Sequence, residues 1–224
     1  MEKKVKYFIR RLVVYLLGLF ILALGVSVSV KSDLGISPVN SIPYVLSRVT
    51  GLEQGLLVTL VFCGFVLIQI LLLRREFQLV QLLQVVCATI FGSFVSLTNR
   101  IVCFPVPEAY IARLGLAVLS AILVAGGMFL YLCGNLIPQP AEGLCLAIEK
   151  KTGWKYSNVK VFFDCCLVST ATIISLVGLG KVVGVREGTL IAMLGVGRLI
   201  GIMIRYWKQP MTRFCEPEKA VSTK

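Results

Sequence analysis

Six stretches of the chain run for about the depth of a bilayer with almost no charge. They cover residues 12–30, 55–73, 77–99, 114–133, 159–179 and 188–204. A helix needs about 20 mostly apolar residues to cross the hydrocarbon core, so each stretch predicts a transmembrane helix. Charges inside them are few: Asp164 in the fifth, with Lys160 at its edge, and Arg198 in the sixth. The first stretch has the basic start of a signal peptide. It is long for one, and no A-x-A-like cleavage site follows it, so we expect it to stay as a span.

Two shorter segments lie just after the first and fourth stretches. Residues 34–51 can be laid on residues 136–153 at an offset of 102. Leu34, Pro38, Thr50 and Gly51 then fall on Leu136, Pro140, Thr152 and Gly153, and Arg48 falls on Lys150. Ala23/Ala125 and Gly25/Gly127 keep the same offset in the preceding spans. Each segment opens on a proline that suits a first helical turn, with Ser37 as an N-cap before Pro38. Each closes on a glycine after about three turns. Such a helix is too short to span. Two placements fit it: a half-helix inserted between spans, or a helix lying on the membrane surface. The low charge of residues 34–47 favours insertion.

The fold expected is therefore an all-α integral membrane protein of six transmembrane helices. They would form two three-helix repeats, about 8–102 and 110–206, each with one short half-helix or re-entrant segment. Residues 207–224 would be a cytoplasmic tail. Three spans per half would turn the second half upside down, an inverted-topology repeat of the kind secondary transporters use.

Composition agrees with a lipid-covered chain. Of 224 residues, 57% are hydrophobic and 15% charged, and the mean hydropathy is +0.88. Soluble domains carry about 25% charged residues. The net charge of +12 would suit nucleic acid, but the basic residues cluster at span ends, where they report topology. With the N-terminus inside, the inner segments hold 16 Lys and Arg and the outer ones six. Both termini are thus expected in the cytoplasm. The chain has no histidine, and none of its eight cysteines forms a C-x-x-C pair. No metal, no cofactor and no catalytic constellation built on histidine is expected.

The candidate chemistry sits at the half-helix starts. Asp33, Ser37, Asn40 and Ser41 come from the first, and Gln139 and Glu142 from the second. The two ends would converge near the midplane as a substrate site. Asp164 and Arg198 would reach similar depth on antiparallel spans, as a gating ion pair or a static one. Arg186, Glu187 and Thr189 open the sixth span, where helix-start amides could hold an anion or merely form an interfacial cap. In the third span Gln81, Gln84, Ala88, Gly92, Ser96 and Asn99 share one small or polar helical face. Gly197-x-x-x-Gly201 reads as helix packing.

The segment Val-Lys-Ser-Asp-Leu-Gly-Ile-Ser-Pro (30–38), the run Gly-Val-Arg-Glu-Gly-Thr (184–189) and Asp164 resemble the YczE/YyaS/YitT family of bacterial membrane proteins, the YczE branch in particular. The resemblance covers essentially the whole chain. It implies a multi-pass protein of a bacterial inner membrane in a family of poorly defined activity.

The expected function is a secondary transporter or permease for a small polar organic solute. Two alternatives stand beside it: the substrate-capture subunit of an ATP-driven transporter (the chain has no P-loop of its own), and a non-transporting membrane scaffold or regulator. The partners expected are the lipid bilayer, a small-molecule solute and, as an open option, a second copy of the chain.

Overall fold

The computed structural model describes residues 2–215. Lys219 and Lys224, counted above among the inner charges, lie outside the described residues. Eight helices follow one another: α1 (Glu2–Ser32), α2 (Pro38–Thr50), α3 (Gln54–Leu73), α4 (Leu83–Ile101), α5 (Tyr110–Gly134), α6 (Pro140–Thr152), α7 (Tyr156–Leu179) and α8 (Glu187–Cys215). Two 3-10 turns, Arg74–Glu76 and Leu79–Leu82, join α3 to α4. Six of the helices are long and apolar enough to cross a membrane. They are α1, α3, α4, α5, α7 and α8, as the hydropathy pattern predicts. The chain is an all-helical membrane protein.

The ends of the helices depart from the apolar stretches. α1 begins at Glu2, ten residues before its uncharged run, and α8 continues to Cys215. Residues 207–215 of the expected cytoplasmic tail are helix, and 216–224 lie outside the described residues. Phe214 meets Arg10 of α1, with the guanidinium 5.2 Å from its ring centroid. Both helices project beyond the apolar layer on the same face.

Helix boundaries recur 102 residues apart. α1 and α5 end at Ser32 and Gly134, α2 and α6 span Pro38–Thr50 and Pro140–Thr152, and α3 and α7 start at Gln54 and Tyr156. Asp33 and Asn135 both take positive φ, 52° and 44°. Gly51 and Gly153 cap the short helices in the left-handed region at φ 75° and 72°, where a side chain would be strained. At 13 residues each, α2 and α6 are about 20 Å long, short of the ~30 Å hydrocarbon core. Their first two turns are buried and their last turns exposed. Both lie between α3 and α7. The first two turns of each short helix are thus packed among the longer helices.

The spine of the bundle is the α1–α5 crossing, the most extensive helix pair. Gly18 and Gly127 bring the two backbones together. A Cβ on Gly18 would collide with Tyr131 N, and one on Gly127 with Leu22 N. Small residues at such a crossing let dispersion and backbone contacts act at short range, which is how helices associate where water supplies no drive. The contacts are reciprocal at the 102 offset: Gly25 faces Val124, and Gly127 faces Leu22. Gly178 on α7 faces Val49 on α2, and at the matching positions Glu76 meets Lys151 at 2.5 Å. A second close approach joins α3 to α4, where Gly55 and Gly92 each sit against the other's backbone carbonyl. Phe62 and Phe91 stack across it at 5.8 Å.

The second half departs from this pattern. α8 packs on α5 and, less, on α1, but not along α7. The Gly197-x-x-x-Gly201 motif is accordingly not a packing seam. A Cβ at either glycine meets nothing within 4 Å among the described residues. Gly197→Ala is expected to leave the thermal unfolding midpoint unchanged, and a marked fall would place a partner against that face.

Candidate functional site

The start of α6 carries the densest buried polar cluster. Gln69 is an amide alone in an apolar run of α3 and is fully buried. It donates to Gln84 Oε1 on α4 and to the Pro140 carbonyl, each at 3.0 Å. Those bonds tie the first turn of α6 to α3 and α4. Gly143 makes room for them, since a Cβ there would stand 2.7–2.8 Å from both glutamine head groups. On α5, Tyr131 turns its hydroxyl towards the Glu142 carboxyl. Tyr15 of α1 packs edge-on to the Tyr131 ring at 5.9 Å and donates its hydroxyl to the Ile137 carbonyl at 3.0 Å. Helices α1, α3, α4 and α5 thus converge on one helix start.

Two amide atoms of this cluster, Gln69 Oε1 and Gln139 Nε2, have no hydrogen-bond partner among the described residues, and Tyr131 Oη and Glu142 Oε2 have none besides each other. Native interiors pair nearly all such atoms. In the first half, at the position matching Glu142, Asn40 Oδ1 is likewise buried and unpartnered. The corresponding α2 start is otherwise closed on itself. Asn40 donates to Ser37 Oγ at 3.1 Å, and Ser41 to the Pro38 carbonyl at 2.6 Å. The side chains expected at the two starts therefore do not bond to one another. Gln139 and Glu142 join a cluster with α3, α4 and α5, while Ser37, Asn40 and Ser41 bond within α2.

Asp33 lies outside both groups. It is exposed at the end of α1, where its carboxylate meets Arg113 at 3.5 Å and its carbonyl accepts from Arg186 at 3.2 Å. The chain after it docks onto the α8 start. Gly188 N donates to the Leu34 carbonyl at 2.7 Å and Ile36 N to the Gly184 carbonyl at 3.0 Å. Thr189 Oγ1 accepts from Arg186 N at 3.4 Å, and Arg186 pairs with Glu187 at 3.4 Å. An anion at Arg186, Glu187 and Thr189 does not fit this arrangement, because Leu34 and Thr189 already take helix-start amides. The segment is an anchor between the ends of α1 and α8.

The pair expected of Asp164 and Arg198 is also absent among the described residues. Asp164 is paired with Lys160 one turn away, at 2.6 Å. Arg198 is exposed on α8. The physical reason is that α7 and α8 do not pack along each other, so the i,i+4 neighbour wins. The polar face of α4 divides in two. Gln84, Ala88 and Gly92 are buried against neighbouring helices, whereas Ser96 bonds Glu53 and Asn99 bonds Gln54. Sequence reasoning missed Gln69, Tyr15 and Tyr131. A single amide in a 19-residue apolar run was the readable sign of the first. The tyrosines gave none, because long-range packing alone brings them to α6.

Comparison with known proteins adds kinship rather than chemistry. The uncharacterized membrane protein YczE of Bacillus subtilis (strain 168) is 28% identical over 174 residues, covering 76% of this chain and 75% of that protein. No solved structure matches. A family model of unknown function, DUF6198, matches residues 9–205. The YczE-like kinship suggested by the 30–38 and 184–189 motifs thus holds, and the chain belongs to the DUF6198 family.

Proposed function

We propose that this chain is a secondary transporter or permease for a small polar organic solute. It would be built from two inverted three-span halves that rock about a site at the half-helix starts. The observation that carries the reading is the α6 cluster, where polar atoms lack partners inside an apolar bundle. Leaving a buried polar group unpaired costs about 1–3 kcal/mol, and a stretch whose only task was to hold helices together would gain by being apolar. Short, proline-started helices at matching positions of two halves are where transporters bind their solutes. The 102-residue recurrence of helix ends and the reciprocal Gly25/Val124 and Gly127/Leu22 contacts support a two-fold relation between the halves. The excess of basic residues on one face supports cytoplasmic termini in a bacterial inner membrane. The absence of histidine supports a carrier rather than an enzyme.

Cys145 tests the reading. It is fully buried on α6, one turn beyond Glu142. A chain retaining it as the sole thiol is expected to react with a small membrane-impermeant thiosulfonate from both faces, in right-side-out and in inverted vesicles. Reaction from one face only, or from neither, would sink the alternating-access reading and leave a static scaffold.

A further inference from the structure

A cavity of about 320 Å³ lies among α1, α2, α3 and α4, lined by Tyr44, Arg48, Glu53, Gln54, Asn99 and Arg100 among others. It sits where α2 and α4 end and α3 begins. Its volume is at the lower end of the range for small-molecule sites.

The lining is built to present donors. Gln54 is buried at 7% exposure, accepts from Asn99 Nδ2 at 3.1 Å, and keeps an Nε2 with no acceptor. Exchanging oxygen and nitrogen in both amides still leaves spare N–H groups, since one bond cannot use the four that the pair carries. The Arg48 guanidinium lies 5.2 Å from the Tyr44 ring centroid and donates through Nε and one Nη to the Tyr44 hydroxyl at 3.2 and 3.1 Å. Its remaining Nη makes no bond among the described residues. Arg100 is engaged by Glu53 at 2.6 Å, and the other Glu53 oxygen accepts from Ser96 at 3.2 Å. Two guanidinium groups against one carboxylate leave the cavity net positive. The Arg100 and Ser96 bonds also hold the Glu53 carboxyl below its ordinary range.

We propose that this cavity binds a small carboxylate-bearing solute. The carboxylate lies between the fixed Arg48 guanidinium and the spare amide donor of Gln54, and Arg100 and Glu53 form its polar rim. An oriented guanidinium beside a neutral donor is a carboxylate-recognising pair. Glu53 also offers a seat for an ammonium group, so a zwitterion fits as well as a simple anion. The site is separate from the α6 cluster and stands whether or not the chain transports.

The test is the thermal unfolding of detergent-purified protein with sodium acetate, glycine, methylammonium chloride or sodium phosphate at matched ionic strength. Acetate and glycine are expected to raise the midpoint saturably, and methylammonium and phosphate are not. Arg48 is exposed, so Arg48→Gln should fold and lose the shift. Arg48→Lys keeps the charge without the planar fork and should weaken binding about tenfold. A shift that persists in Arg48→Gln overturns the proposal. Equal or stronger stabilisation by phosphate overturns it too, and marks a headgroup-type anion site instead. A carboxylate shift in a protein whose Cys145 is reachable from one face only would keep this site and remove the transport reading.

Discussion

Gly127→Ala is expected to destabilise the protein by about 2–3 kcal/mol, lowering its unfolding midpoint by roughly 5–10 °C. The added methyl would fall against Leu22 N and Cα and the Gly18 carbonyl, all of them backbone atoms. A side-chain tip can swing aside, but a helix backbone cannot. The two central helices would have to separate, and the close contacts around Gly18, Leu22 and Tyr131 would weaken together. Gly18→Ala should behave alike, since its Cβ meets Tyr131 N and the Gly127 carbonyl. Gly195→Ala is the control, because among the described residues nothing lies within 4 Å of a Cβ at that position. Unfolding followed by tryptophan fluorescence in detergent would check the series. A neutral Gly127→Ala would mean that the helices do not cross there.

Gln69→Leu is expected to have an effect of similar size, a loss of about 2–3 kcal/mol. Leucine fills nearly the same space, so the change isolates the hydrogen bonds. It removes the donor from Gln84 Oε1 and from the Pro140 carbonyl in a fully buried site, and each stranded acceptor costs about 1–3 kcal/mol. The damage should be local. Hydrogen exchange should quicken across the first two turns of α6 while the α1–α5 amides stay protected. Gln84→Leu removes only one of the two bonds and should cost about half as much. Unchanged exchange in α6 would refute the claim that Gln69 holds that helix start in place.

The sequence reveals the spans and short helices because they rest on strong local physics. An uncharged run of bilayer length has few alternatives, and a proline start with a glycine stop bounds a helix from within. The ends of α1 and α8 were less legible. Hydropathy marks the lipid-facing length, and a helix that continues into the aqueous layer, as at Lys3–Arg11, keeps its backbone bonds while its hydropathy signal fades. The site was half legible. Gln139 and Glu142 follow from half-helix logic, whereas Tyr15 and Tyr131 depend on how α1 and α5 cross. Asp164 and Arg198 show the limit of depth arguments. Equal depth does not bring two helices side by side, and Lys160 was already one turn away.

The unmatched α7 and α8 have a consequence for the solvent. Within their most apolar windows, α3 and α4 are 39% and 33% buried in protein, and α7 and α8 only 22% and 11%. Val161 of α7 is exposed, whereas Thr59, its match on α3, faces α4 and donates to the Ala88 carbonyl at 3.4 Å. Acyl chains must fill that place, so lipid acts there as a missing helix. Cohesion of the second half then depends on what surrounds it. In a short-chain detergent, α8 should loosen before the first half does, and long-chain lipid should restore it.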